Sequence, residues 1–498
     1  MENLMLYLCL PLMAFISSLI FLLRPSTKLP PSPPFSLPII GHLYLLKRPV
    51  HQTLQKLSNK YGHVFSLRLG SQLVVVVSSP SAVKECFTMN DIILANRPSS
   101  NIIKHLTYNN TIFSASSYGD HWRELRRIST IEIFSASRLN MFLETRKDEI
   151  KRVLGKLCRI SSDSFARVEM SSMISELSSN IVMRMVMGKR FYGEGVLDLE
   201  QARKFRDIVK QVMQKCGSFD SRSFIPLLNW IDITHYEKKI IKLGQRNDEF
   251  LQGLIDEHRN QKEEGRNTMI DHLLSLQQSQ LDFMSDQVIK GLIMVILLAG
   301  TDTIAVTIEW ALSHLLNNPN VLKKARIELD SIIGQERLVE ESDMSKLSYL
   351  QGVISETLRL NPAAPLLVPH YASENCWIAG YKIPRDTIIL INAWAIHRDP
   401  NIWEDANTFN PERYKITMVD DLYKLIPFGL GRRACPGVGM AHRVVGLSLA
   451  SLIQCFEWKR VSSEVVDMTE GVGLTIPRAQ PLEAMCKSRP IVERVLMQ

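Results

Sequence analysis

Apolar residues are grouped along the chain in runs that predict particular elements. Residues Leu4 to Leu23 carry no charged side chain, and twenty such residues are about the length that spans a bilayer. Two short β-rich runs, Val64 to Leu69 and Leu73 to Val77, flank a Gly70-Ser71-Gln72 turn and predict a hairpin. A helix is predicted from a cap at Ser285-Asp286 to Leu316, before an Asn-Asn-Pro stop.

The centre of that helix, Leu292 to Ala299, is too short to cross a membrane and predicts a buried core helix. A second strand-rich patch lies around Trp377 to Ile391, with Gly380 and Pro384 as turn signals. The polar stretch His258 to Thr268 lacks an apolar period and is predicted to be a surface loop. Most of the remainder has helical periodicity, so the predicted fold is mostly α with a small β-rich lobe.

The apolar run at the N-terminus is interpreted as a retained transmembrane helix. A cleaved signal peptide is the alternative, but it would have a basic segment first, and Met1-Glu2-Asn3 contains none. Arg24 and Lys28 follow the run, and positive charge there keeps the following chain in the cytosol. The proline-rich segment Leu29 to Pro34 predicts a stiff spacer. We therefore expect an anchor at 1–24, a hinge at 25–41 and one large domain at 42–498, in the endoplasmic reticulum membrane.

Composition limits the classes of partner. The 498 residues are 45% hydrophobic and 22% charged, as in globular proteins. The formal net charge of +8 favours an anionic membrane surface or an acidic protein partner. No nucleic-acid partner is predicted, because the basic residues are dispersed and not interleaved with aromatic residues.

One of the eight cysteines stands apart from the others by its surroundings. None of the eight forms a CxxC pair, and their spacing fits neither a zinc site nor a disulfide framework. Cys435 lies in Phe428-Gly-Leu-Gly-Arg-Arg-Ala-Cys-Pro-Gly437, where Gly429 and Gly431 permit tight turns. Pro436 suits the first turn of a helix, so we expect helix N–H groups and the helix dipole to lower the pKa of the Cys435 thiol.

This segment resembles the haem-binding signature of the cytochrome P-450 family, F-x-x-G-x-R-x-C-x-G, at all five fixed positions. The resemblance implies that Cys435 is the axial thiolate ligand of the iron of haem b. It also implies that Arg433 contacts a haem propionate and that Phe428 shields the sulfur. A thiolate ligand pushes electron density onto the iron and favours O–O cleavage.

Three further motifs support the resemblance. Glu356 and Arg359 lie three apart on a predicted helix, which alone would indicate a surface ion pair, but Arg413 follows in Asn-Pro-Glu-Arg-Tyr. Together they resemble the family's Glu-Arg-Arg network behind the haem. Trp122 and Arg126 resemble the W-x-x-x-R helix whose side chains bind a propionate. His370, after Pro369, matches a basic propionate contact, and Arg97 is a further candidate.

A third motif interrupts the most apolar part of the long helix with Ala299-Gly-Thr-Asp-Thr303. Glycine weakens a helix and threonine bonds back to a carbonyl, so a local kink is expected. In the family this acid–alcohol pair delivers protons during the reduction of oxygen, and we expect Asp302 and Thr303 to do so here. Ile304 departs from the Thr or Ser that relatives often carry at that position.

The resemblance implies a mostly helical cytochrome P-450 fold and a monooxygenase that receives electrons from NADPH through a membrane-anchored flavoprotein reductase. Several segments look like plant microsomal members acting on isoflavonoids, lignans or triterpenoids. The expected substrate is a hydrophobic plant metabolite. Its pocket is expected between Arg97 to Tyr118, the first half of the long helix, Ala363 to Leu367, and Gly471 to Ile476. Oxidative ring closure (methylenedioxy-bridge formation), an O₂-independent isomerase or dehydratase, and a non-catalytic haem protein remain as alternatives.

Overall fold

The computed structural model describes residues 28–99, 103–162, 164–217, 224–225, 236–260, 267–279, 283–415 and 422–496. The predicted anchor at Leu4 to Leu23 lies outside the described residues, and so do the first three residues of the predicted hinge.

Helices make up most of the described chain, with short strands between them. The helices are α1 (Val50–Tyr61), α2 (Pro80–Phe87), α3 (Asp120–Ile128), α4 (Ala136–Met141), α5 (Leu143–Ser161), α6 (Met170–Met187), α7 (Leu199–Gly217), α8 (Tyr236–Asn260), α9 (Met269–Ser279), α10 (Asp286–Asn317), α11 (Pro319–Ile332), α12 (Ser348–Leu360), α13 (Ala393–Ile396), α14 (Val438–Cys455) and α15 (Pro490–Leu496). The strands are β1 (Val64–Leu69), β2 (Gln72–Val77), β3 (Ala166–Glu169), β4 (His370–Tyr371), β5 (Cys376–Ile378), β6 (Tyr381–Ile383), β7 (Ile388–Ile391), β8 (Phe456–Lys459) and β9 (Glu483–Ser488).

The β-rich lobe forms where the sequence predicts it. β1 and β2 pair antiparallel as a hairpin, and β2 pairs with β7 in parallel, giving a sheet of order β1-β2-β7-β4. The valines of β2 are buried between two apolar clusters, so the sheet is covered on both faces. β5 and β6 form a hairpin whose turn holds Ala379 and Gly380 at positive φ. The predicted strand-rich patch at Trp377 to Ile391 is therefore confirmed.

α10 is the long helix at the centre of the largest apolar core. Its N-cap is Ser285, whose hydroxyl accepts a hydrogen bond from the Val288 N–H, as the cap signal predicts. It packs against α6 and α14, which together surround its apolar residues. α10 and α14 are the two described helices long and apolar enough to cross a membrane, but each is mostly buried inside the protein. The prediction of a buried core helix is confirmed.

The prediction of a surface loop at His258 to Thr268 is wrong at both ends of that stretch. α8 continues to Asn260, and the buried His258 ring lies 2.7 Å from the Asp271 carboxylate. Thr268 is also buried, and its hydroxyl donates to Asp271 at 2.7 Å while accepting from the Asp271 N–H. Hydrogen bonds between these polar side chains connect the end of α8 to the start of α9. A hydropathy pattern does not reveal such pairs.

Candidate haem site

The loop before α14 has the tight backbone that its glycines predict. Gly429 and Gly431 have φ of 68° and 66°, in the left-handed region, and the Cys435 N–H donates to the Phe428 carbonyl at 2.9 Å. A Cβ on Gly431 would overlap the Asp91 carboxylate, so this position also needs the absence of a side chain. α14 begins at Val438 with Gly437 as its N-cap, which leaves Pro436 just before the helix and not in its first turn.

The Cys435 side chain is exposed, yet enough protein surrounds it that burial raises the pKa of its thiol. That combination is typical of a side chain on the wall of an internal cavity. The expected lowering of the pKa is therefore wrong in direction. The Gly437 N–H and the Arg126 charge both favour the thiolate, but the loss of hydration outweighs them. Binding of a metal ion removes the proton from a coordinating thiol, so the ligand role does not require a low pKa beforehand.

Three arginines gather on one side of the Cys435 loop with no carboxylate paired to them among the described residues. Arg433 donates to the Ala95 carbonyl at 2.5 Å and to the Phe113 and Ser116 carbonyls. Arg97 donates to the Val368 and Pro369 carbonyls, while its buried Nε has no partner in the described chain. Arg126 donates to the Ala434 carbonyl at 2.6 Å.

Burial lowers the pKa values of all three arginines, and repulsion between them lowers that of Arg433 further. The pKa of Arg433 falls to about 9, through burial first and then through the charges of Arg97 and Arg126. The pKa of Arg97 falls to about 10 through burial. A cluster of cations that lacks a counter-charge is a site for an anionic group. It fits the two propionates of a haem, and the neighbouring Cys435 sulfur fits its iron.

Trp122 and His370 lie beside the arginine cluster, but their N–H groups donate to backbone carbonyls. The Trp122 indole is buried, donates to the Phe113 carbonyl at 3.2 Å, and carries the Arg433 guanidinium 4.2 Å from its ring centroid. His370 Nδ1 lies 2.9 Å from the Leu94 carbonyl, which only accepts, so Nδ1 carries the proton. Burial, with the Arg97 and Arg433 charges, lowers the His370 pKa to about 3, so the ring is neutral in this geometry.

The acid and the alcohol of α10 are not hydrogen-bonded to each other. The Thr303 hydroxyl donates back to the Ala299 carbonyl at 2.7 Å, and Thr301 donates to the Leu297 carbonyl at 3.0 Å. These are the back-bonds expected of threonine in a helix, and α10 runs unbroken through them. The Asp302 carboxylate instead accepts a short hydrogen bond from the Thr475 hydroxyl.

α10 brings this polar segment close to the cysteine helix. A Cβ on Gly300 would lie 3.7 Å from the Met440 side chain of α14, five residues after Cys435. Ala299 is exposed in the middle of an otherwise buried helix, and Thr303, one turn later, is half-buried. The same face of α10 therefore borders an opening next to the Cys435 loop.

The four segments predicted to wall the pocket do meet one another. Ile112 packs against α10 where Gly291 leaves room for it, since a Cβ there would lie 3.1 Å from Ile112. The Ile476 N–H donates to the Ala363 carbonyl at 3.1 Å. The Thr475 contact with Asp302 joins the C-terminal segment to α10. The loops are therefore correctly predicted as neighbours, although they lie far apart in the sequence.

The predicted Glu-Arg-Arg network is present behind the Cys435 loop, with Glu356 and Arg359 fully buried and Arg413 mostly so. Both Glu356 oxygens accept from Arg359, at 2.7 and 2.8 Å, and Arg413 donates to the same carboxylate at 3.0 Å. The Asn410 N–H also donates to Glu356 at 3.0 Å. Arg359 in turn donates to the carbonyls of His397 and Ala406, so the network joins α12 to the chain that precedes the cysteine loop.

Sequence reasoning missed the residues that hold the C-terminal loop in place. Glu470 is buried and accepts from His51, Gln52 and Trp394 at 2.7 to 2.8 Å. Arg478 donates to the Ser313 hydroxyl of α10 at 2.7 Å. Thr475 lies between these two anchors. Each is a single polar residue in a segment without a helix or strand, and the sequence contains no periodic signal that would single it out.

Known proteins resemble the chain over almost its full length. A profile described as Cytochrome P450 matches residues 30–482. An isoflavone 2'-hydroxylase from Glycyrrhiza echinata is 52% identical, covering 97% of each chain. An isoflavone 3'-hydroxylase from Medicago truncatula is 51% identical, covering 98% of this chain and 99% of the relative. A (+)-piperitol/(+)-sesamin synthase from Sesamum radiatum is 52% identical, covering 95% and 93%.

A solved structure has the same fold. A zebra fish cytochrome P450 with progesterone aligns with a TM-score of 0.74 at 24% identity, covering 89% of this chain and all of that one. Together with the profile match and the Cys435 loop, these similarities establish that the chain belongs to the cytochrome P450 family of haem-dependent monooxygenases.

Proposed function

We propose that the protein hydroxylates a hydrophobic plant specialised metabolite, inserting one oxygen atom from O₂ with electrons from NADPH. The observation that carries this proposal is the juxtaposition of the Cys435 loop, the arginine cluster and the α10 segment with Asp302 and Thr303. An electron carrier would have no need of an acid and an alcohol in its core helix. An O₂-independent isomerase or dehydratase would not need them for proton delivery either.

Each residue of the site has one role in this proposal. Cys435 Sγ would hold the iron, and Phe428, whose ring contacts His442 of α14, would shield the sulfur on that side. The haem propionates would supply the missing counter-charge for Arg97, Arg126 and Arg433. Trp122 and His370 would support them from beside the cluster. His370 contacts a propionate only if it gains a second proton, which the anion would favour against the repulsion of the neighbouring arginines.

Haem bound to a thiolate supplies the oxidising chemistry, because the sulfur donates electron density to the iron. Asp302 and Thr303 move protons from solvent into the site. Thr301, Ile304 and Ala305 beside them are buried, which limits access of bulk water on that side of α10, while the exposed Ala299 marks the side that opens to the site. The apolar walls hold the substrate by burial of its surface, and few polar groups are available to orient it.

Isoflavonoids and lignans are the substrates that we propose to test first, followed by triterpenoids. The isoflavone hydroxylases named above are more than half identical to this chain over nearly all of it. Val472 and Leu474 in the C-terminal wall segment are exposed apolar side chains that are available to contact a hydrophobic ligand. A second candidate reaction is oxidative ring closure, because one relative of equal similarity is named as a (+)-piperitol/(+)-sesamin synthase.

We also propose the cellular setting. The uncharged run at Leu4 to Leu23, followed by Arg24 and Lys28, supports a single N-terminal span with the domain at 42–498 on the cytosolic side of the endoplasmic reticulum. The redox partner is a flavoprotein NADPH–cytochrome P-450 reductase in the same membrane. The net charge of +8 supports its docking through an acidic surface.

Co-expression with a plant reductase in microsomes tests the function. Isoflavonoids, lignans and triterpenoids are supplied with NADPH, and products are identified by mass. A product heavier by one oxygen supports hydroxylation, whereas loss of two hydrogens supports ring closure. A labelled-oxygen experiment should place one ¹⁸O atom from O₂ in a hydroxylated product. If the haem is intact and every substrate class fails, the proposal is wrong.

A further inference from the structure

The C-terminal loop lies along one face of α10. Asp302, Val306 and Trp310 follow each other at four-residue spacing, so they share that face. Trp310 donates its indole N–H to the Ile476 carbonyl at 2.8 Å, and Val306, Trp310 and Ile476 belong to one small apolar cluster. The loop therefore follows α10 for two turns and reaches Asp302 with Thr475.

The loop is fixed at both ends, so the position of Thr475 is well defined. At one end Glu470 is bound by His51 and Trp394, and at the other Arg478 is bound by Ser313. Between them the Ile476 N–H donates to the Ala363 carbonyl at 3.1 Å. Thr475 itself is only 7% exposed, which leaves its hydroxyl little freedom to find another partner.

The Thr475 hydroxyl binds Oδ2 of Asp302, and no other hydrogen bond to that carboxylate occurs in the part of the chain that the structure describes. The Thr303 hydroxyl, the nearest alternative along α10, is directed to the Ala299 carbonyl. A hydrogen bond to a charged acceptor is about twice as strong as one between neutral groups. One oxygen of Asp302 is thereby held, and Oδ1 is left for exchange of a proton.

We propose that Thr475 is a positioning residue, which orients the Asp302 carboxylate for proton delivery. This inference rests on the proposed function, since it assigns Thr475 a part in the same monooxygenase reaction. The hydroxyl need not exchange a proton itself. It restricts Asp302 to one rotamer, so that Oδ1 keeps one orientation. Neighbouring groups often orient a general acid in this way.

Thr475→Val removes the hydroxyl at almost constant shape, and Thr475→Ser restores it. We measure product formed per NADPH oxidised, the kcat and KM for substrate, and the solvent isotope effect on kcat. Thr475→Val should lower the coupling of NADPH oxidation to product by about tenfold, the order expected from one hydrogen bond to a charged group. KM should stay constant, the isotope effect should increase, and Thr475→Ser should behave like the original protein.

Thr469 provides a matched control. Its hydroxyl also donates to an aspartate, Asp467, at 2.6 Å, but this pair lies on the exposed surface outside the site. Thr469→Val should leave the coupling and the isotope effect unchanged. A reduction equal to that of Thr475→Val would mean that any threonine substitution in this segment disturbs the loop, and would overturn the proposal.

A double-mutant cycle with Asp302→Asn separates positioning from pocket shape. If Thr475 acts through Asp302, Thr475→Val should have no further effect on coupling in the Asp302→Asn protein, and the thermal unfolding midpoints should be non-additive. The proposal would be contradicted if the losses of coupling in the two single variants multiplied in the double variant and their changes in unfolding midpoint added. If the original protein with a thiolate-type spectrum forms no product, the proposed function fails, and the unfolding cycle still decides whether Thr475 holds Asp302.

Discussion

Replacing Glu356 by glutamine should show how strongly the region behind the Cys435 loop depends on one buried charge. Glu356 and Arg359 have no solvent exposure at all, and the carboxylate accepts four hydrogen bonds, two from Arg359 and one each from Arg413 and the Asn410 N–H. Glutamine keeps the shape but removes the charge. It also turns one acceptor into a donor that faces two guanidinium groups.

The cost follows from what remains after the substitution. Arg359 still donates to the His397 and Ala406 carbonyls, but its buried charge no longer has a counter-ion. Removing one partner of a buried ion pair typically costs about 3–5 kcal/mol. Because the network joins α12 to the chain that leads into the cysteine loop, we expect Glu356→Gln to lower both the free energy of unfolding and the haem content.

The assay combines haem content per protein with the thermal unfolding midpoint. Glu412→Gln is the matched control, since Glu412 pairs with Lys324 at the surface and such exposed pairs contribute about 0–1 kcal/mol. Glu356→Gln protein with a normal haem content and an unfolding midpoint equal to that of the control would show that the buried charge is not needed here. A protein that retains haem but has a slower turnover would likewise contradict a purely structural role.

Two further substitutions test the loop and the core. Gly431→Ala places a Cβ against Asp91 at a φ of 66°, and the left-handed conformation alone costs an alanine about 1–2 kcal/mol, so the loss of unfolding free energy should exceed that value. Gly334→Ala, at a φ of 81° in open space, is the control and should show only the conformational cost. Equal unfolding midpoints for the two variants would mean that the contact with Asp91 costs nothing. His314 has its pKa lowered to about 4 by burial, so the unfolded chain takes up a proton that the folded chain does not as the pH falls from about 6.5 towards 4. Stability should decrease over that range, and His314→Gln should reduce the slope; an unchanged slope in acid titrations of unfolding would refute this.

Elements with a strong local signal were predictable from the sequence. The β1–β2 hairpin has its turn at Gly70, α10 starts at its Ser285 cap, and the loop before Cys435 has its two glycines at positive φ. In each case a local sequence signal restricts the backbone, although Gly431 must also leave room for the distant Asp91. The Glu-Arg-Arg network was predictable only through the family resemblance, because an isolated Glu356–Arg359 pair would normally be a surface contact.

Features that depend on tertiary contacts were not predictable. Thr475 reaches Asp302 across 173 positions of sequence, and only the folded loop brings them together. The pKa of Cys435 depends on how much water the surrounding protein displaces, and that loss of hydration outweighs both the backbone N–H that the motif suggests and the nearby Arg126 charge. The sequence predicts His258 to be part of a polar loop, because its burial and its contact with Asp271 exist only in the folded chain.

Whether Cys435 is the thiolate ligand of a haem is decided by the spectrum of the reduced protein with carbon monoxide. The original protein should show the strongly red-shifted Soret band of thiolate-ligated haem. Cys435→Ala should abolish that band, while Cys158→Ala, a substitution of a half-buried free thiol, should leave it intact. A normal thiolate-type spectrum in Cys435→Ala would show that another residue binds the iron.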